Sequence, residues 1–112
     1  MKERLAVLVE NNIVAKEIAD YTLDVYNDFI VAKGLDGAPA EVFLTHLAMA
    51  SQRIKDDEIV NYMDDAILAD IKNFEKFDEV VELTNAILEK SIVVFPESEV
   101  QFLWLHMCNI IK

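Results

Sequence analysis

The sequence predicts an all-α fold, a compact bundle of about five helices, and three observations predict it. Apolar residues recur at intervals of three and four, with no sustained alternation by two. Only two glycines and two prolines punctuate 112 residues, which suits long helices joined by few turns. Hydrophobic residues make up 54% of the chain, enough for a real core, and with 28% charged the balance argues against disorder. The length predicts one helical domain over residues 1–112.

The elements follow in order. A first helical segment runs to about Lys33, with Val14, Ile18, Tyr21, Val25 and Phe29 on one stripe and Asp20, Asp24 and Asp28 on a solvated one. Lys33-Gly34 is a stop, a base in the last turn followed by a residue that accepts a left-handed conformation. Asp36-Gly37-Ala38-Pro39 is the clearest turn, and Pro39 opens a second helix to about Lys55 with Phe43, Leu47, Ala50 and Ile54 inward. Asp56-Asp57-Glu58 is an exposed break or a helix start. Asp64-Asp65 begins a third helix through Phe74, its acids near the positive N-terminal end. A fourth runs from about Asp78 to Lys90, with Val80, Leu83, Ile87 and Ile92 inward. Ile92-Val93-Val94-Phe95 has strand propensity but no partner strand, and is expected as a buried connector. Pro96-Glu97-Ser98-Glu99 opens the last helix.

Charge narrows the function. Twenty-one acids against 10 bases leave a net charge of −11, which the phosphate backbone of a nucleic acid would repel. A single cysteine, Cys108, excludes an internal disulfide framework and fits a reducing cytoplasm. The apolar run near the N-terminus is too short for a signal peptide, and Val100 to Ile111 is too short to span a bilayer. A soluble cytoplasmic protein without membrane or direct nucleic-acid contact is expected.

The chain's only histidines, His46 and His106, stand sixty positions apart, each in an apolar helical segment. Arg53 follows His46 by seven positions, whereas Glu99 precedes His106 by seven, so the order is mirrored. Seven residues make about two helical turns, which puts each charge on its own histidine's face. Arg53 beside His46 lowers its proton affinity and stabilises a phosphoryl group arriving on the ring. Glu99 beside His106 favours the cation or orients the imidazole.

Spacing alone leaves three readings open: satisfied core histidines, a nucleophile toward phosphorus, or metal ligands. Neither a His-x-x-x-His pair nor a Cys-x-x-Cys is present, and the acid clusters lack a calcium loop's alternation, so no metal or other cofactor is expected. The chain has no Gly-rich phosphate loop, nucleophile elbow or acid pair, so no enzyme is expected and no residue is assigned a catalytic role. Trp104, near His106, is a candidate for a dimer contact.

Taken together, two segments resemble the PTS regulation domain (PRD) family. Phe43-Leu44-Thr45-His46-Leu47-Ala48-Met49-Ala50-Ser51-Gln52-Arg53 is similar to its first signature, a histidine followed seven positions later by an arginine. Glu99-Val100-Gln101-Phe102-Leu103-Trp104-Leu105-His106-Met107 is similar to the second, an acid and an apolar run ending in Leu-His. Ala66 to Lys72 resembles the family's third-helix segment, and the likeness covers about residues 13 to 112. It departs at Thr45, where many members carry an acid, at Asp64-Asp65, where Asn-Pro is common, and at Trp104, which replaces a small residue.

The resemblance implies a five-helix bundle that dimerises and takes phosphoryl groups on histidine from the sugar phosphotransferase system. The donor is the phosphocarrier HPr or an enzyme II B component. It makes His46 and His106 the candidate phosphoacceptors and Arg53 and Glu99 their candidate supporting residues. The implied role is transcription regulation through protein–protein contacts, by a stand-alone domain with an unknown downstream regulator. The alternatives are a non-phosphorylated helical dimerisation module and a small metal- or ligand-binding protein using both histidines.

Overall fold

Six α-helices and one π-helical segment make up the described part of the chain, residues 1–58 and 60–111 of a computed structural model, with no strand among them. The all-α expectation holds. The single first helix to Lys33 does not. Helix α1 (Lys2–Glu10) ends at Asn11, and Asn12 takes a left-handed φ of 59°. Asparagine tolerates that conformation, so it stops a helix where no glycine or proline announces a break. The Ile13 N–H donates back to the Leu8 carbonyl at 2.9 Å and satisfies one terminal acceptor. Helix α2 (Lys16–Val25) then buries Ile18, Tyr21 and Val25 beside Val14, and leaves Asp20 and Asp24 exposed, as their spacing predicts.

Past Val25 the helix widens into a π segment, Tyr26–Val31. A bond pattern of i to i+5 moves the inward position on by five, so Ile30 is fully buried where the stripe predicts Phe29, which is half-buried. Gly34, at φ 67°, ends the segment, and the Leu35 N–H donates to the Ile30 carbonyl at 2.9 Å. This is the left-handed stop expected after Lys33.

Helix α3 (Ala38–Lys55) opens with Pro39 in its first turn and runs through the centre of the molecule. Phe43, Leu47 and Ala50 are fully buried; Ile54, near the end, is only half-buried. α3 packs on α2, and an ion pair from Lys55 to Glu17 ties its last turn to the first turn of α2. The acids predicted to start the third helix act as a cap: the Asp64 side chain accepts from the Ala66 N–H at 2.9 Å and opens α4 (Asp65–Lys72). The helix stops at Lys72, short of Phe74. Asp64→Ala is expected to cost about 1 kcal/mol, read as a lower urea midpoint at unchanged slope.

Helix α5 (Phe77–Glu89) buries Val80, Thr84 and Ile87. The connector after it corrects the expectation, because Ile92 is 52% exposed and Val94 88%. Ser91 causes this: its hydroxyl donates to the Val93 carbonyl at 2.7 Å and accepts the Val93 N–H at 3.2 Å, a tight local turn that directs Ile92 outward. Phe95 alone returns to the core from that stretch. Helix α6 (Glu97–Ile110) begins after Pro96, as predicted, and buries Leu103 and Met107.

The larger core joins α2, α3, α5 and α6, while a smaller one holds α1 through Leu5, Val14, Ile18, Ala19 and Ala48. Tyr21 spans the larger core and donates its hydroxyl to the Ile87 carbonyl at 2.8 Å. Tyr21→Phe is therefore expected to cost about 1 kcal/mol, again measured by urea unfolding. Among the described residues no helix is long and apolar enough to cross a membrane.

Candidate functional site

The most extensive helix contact is α3 against α6, and it carries all four predicted site residues. The His46 and His106 rings meet with centroids 4.7 Å apart and planes tilted by 46°. Two turns along, Arg53 meets Glu99: Nε donates to Oε2 at 3.2 Å and Nη2 to Oε1 at 3.1 Å. The helices therefore run antiparallel, and the mirrored order of the sequence has a plain meaning. Equal seven-residue steps in opposite directions bring histidine onto histidine and arginine onto glutamate, roughly 10 Å apart along the axis.

This corrects the sequence-level pairing. Each charge was expected to serve its own histidine; the two charges pair with each other, while Arg53 also acts on His46 through space. Glu99 retains only 1% side-chain exposure against 30% for Arg53, and a forked, charge-assisted pair is what lets a carboxylate sit so deep. Glu99 is thus committed across the seam and is not the group that sets His106's proton affinity.

Burial favours the neutral form of both imidazoles. Burial, then His106, then Arg53 push the His46 pKa down to about 4. The effect expected of Arg53 is present, in third place. Burial also lowers the His106 pKa, opposite to the cationic preference expected from Glu99. A neutral imidazole keeps one lone pair and can attack phosphorus.

Access differs between the two rings. His46 Nε2 is buried with no hydrogen-bond partner among the described residues, and the Phe102 ring lies 6.3 Å from the His46 ring. His106 lines a pocket of about 330 Å³ with Ala38, Pro39, Val42 and Asn109. In this arrangement His106 is the ring that solvent reaches through that pocket.

Trp104, the candidate for a dimer contact, is half-buried and packs edge-on against Phe77 of α5, centroids 5.3 Å apart, at the margin of the larger core. Burial pushes the Cys108 thiol up, away from reactive thiolate. Among the described residues no group of three or more His, Cys, Asp and Glu side chains is arranged to hold a metal ion.

Sequence reasoning overlooked Arg4 and Phe102. Arg4 Nη1 donates to Thr45 Oγ1 at 3.3 Å, next to His46 in the chain, while that hydroxyl donates to the Glu41 carbonyl at 2.8 Å. Helical spacing could have placed Phe102, one turn before His106. No spacing within one helix reveals Arg4, which arrives from α1.

A family model described as the PRD domain matches residues 40–109 and so contains all four site residues. Searches of curated proteins and of solved structures return no match.

Proposed function

The chain belongs to the PRD domain family, and from that premise we propose that it is a regulatory domain, not a catalyst, that takes phosphoryl groups from the sugar phosphotransferase system on His46 and His106. HPr or an enzyme II B component is the donor, and the change passes onward through protein–protein contacts, in a homodimer, to a transcription regulator. The observation that supports this most is the packing of the two imidazoles, centroids 4.7 Å apart, beside a buried ion pair.

The chemistry is a transfer between nucleophiles. The donor's bond to phosphorus breaks as a phosphorus–nitrogen bond forms on the receiving ring, and no oxidant or reductant is involved. His106 is reached first, through its pocket beside Pro39 and Val42. A phosphoryl group brings roughly 1.5 to 2 negative charges and three strong acceptor oxygens. Placed on this seam, it competes with Glu99 for the Arg53 guanidinium. Glu99 is too deeply buried to lose that partner cheaply, so a phosphoryl group here disfavours the unmodified α3–α6 packing, which is what a switch requires.

The test is direct. The protein is incubated with phosphoenolpyruvate, enzyme I, HPr and an enzyme II B component, and acid-labile label is followed. Label is expected on the wild type, reduced in His46→Ala and in His106→Ala, and absent from the double variant. Competent donors that leave the wild type unlabelled would overturn the proposal.

A further inference from the structure

The chain contains two arginines, Arg4 and Arg53, and both lie against the helix that carries His46. Arg53 is on that helix. Arg4 comes from α1, outside the segment that matches the family model. Leu5, its neighbour, is buried in the small core with Ala48 of α3, which holds this part of α1 against α3. The Arg4 guanidinium is then placed on Thr45 Oγ1, on the residue that precedes His46 in α3, and a long arginine side chain can swing from there toward the neighbouring position.

The two arginines are bound unequally. Arg53 makes two charge-assisted bonds to a buried carboxylate. Arg4 makes one bond of 3.3 Å, at an exposed position, to a neutral hydroxyl that has already found a carbonyl. Charge-assisted bonds are roughly twice as strong as neutral ones, so Arg4 is the cation more readily released to an incoming anion. Its planar fork suits phosphoryl oxygens, and an acidic chain of net charge −11 offers few other cations for that task.

We propose that Arg4 is a phosphoryl-holding residue for His46: when that ring is phosphorylated, Arg4 leaves Thr45 Oγ1 and pairs with the phosphoryl oxygens. This rests on the reading of His46 as a phosphoacceptor. It adds that α1 is part of the switch, since capture of the phosphoryl group exchanges a contact between α1 and α3 for one between α1 and the modified ring.

The test uses phosphoramidate, a small phosphoryl donor that needs no protein partner, on full-length protein carrying His106→Gln, so that His46 is the one histidine present. The ³¹P resonance of the phosphohistidine is titrated with Arg4 intact, with Arg4→Gln and with Arg4→Lys, after thermal melts show equal folding. A nearby guanidinium favours the doubly charged phosphoryl group, so Arg4→Gln is expected to raise its second pKa by about half a unit or more, with Arg4→Lys recovering most of the shift. The same titration curve with and without Arg4 overturns the proposal, and so does folded protein whose His46 takes no phosphoryl group. Success here together with no label from the phosphotransferase proteins would count against the donor assignment alone.

Discussion

Arg53→Ala is expected to destabilise the protein by about 3–5 kcal/mol. The cause is what it leaves behind. Glu99 has 1% of its side chain exposed and takes both its side-chain hydrogen bonds from Arg53, so truncation strands a buried carboxylate. Thermal melting should show a midpoint lowered by roughly 10–20 °C. The double variant Arg53→Met, Glu99→Leu should recover most of the loss, because two apolar groups of similar volume remove the unpaired charge. A cost near that of an exposed ion pair, under about 1 kcal/mol, would show that water reaches Glu99 and that the seam is not dry.

Acid should weaken the fold through the same seam. The His46 pKa is pushed down to about 4 in the folded protein, against about 6.5 for a free histidine. Between those values the unfolded chain binds a proton that the folded one refuses. The stabilisation is therefore complete above about pH 6.5 and is lost progressively as the pH falls toward 4. The whole shift corresponds to about 3 kcal/mol, and partial exposure of the ring reduces this to about 2 kcal/mol. His106, shifted in the same direction, adds to the slope. Urea unfolding across this range should show the fall, and His46→Gln should flatten it. An equally steep profile in His46→Gln would mean that carboxylates elsewhere, not this ring, set the acid sensitivity.

Much of this arrangement was legible because it is written in helical spacing. The stripes through Val14, Ile18, Tyr21 and Val25 and through Phe43, Leu47 and Ala50 are core in the structure, and the solvated acids are exposed. Gly34 and Pro39 mark ends that they physically enforce. The misses share a different cause. Asn12 breaks the first helix by a left-handed turn that asparagine permits but does not demand, and the π segment shifts burial from Phe29 to Ile30 without a residue that signals it. Ser91 turns Ile92 outward by a bond that competes with burial.

At the site, the sequence named the four residues but paired them within helices. Only the packing direction of α3 on α6 converts the mirrored order into histidine on histidine and arginine on glutamate. Arg4 was invisible for the same reason, since its role depends on where α1 docks.

His46 and His106 are expected to form a neutral pair that receives phosphoryl groups. Long-range ¹⁵N correlation spectra of the two imidazoles, taken at neutral pH before and after adding phosphoenolpyruvate, enzyme I, HPr and enzyme II B, test it most directly. Two neutral rings are predicted at the start, and a phosphorus-coupled nitrogen on His106 or His46 at the end. Two unmodified imidazoles, after the same donors have phosphorylated a control acceptor, would contradict it.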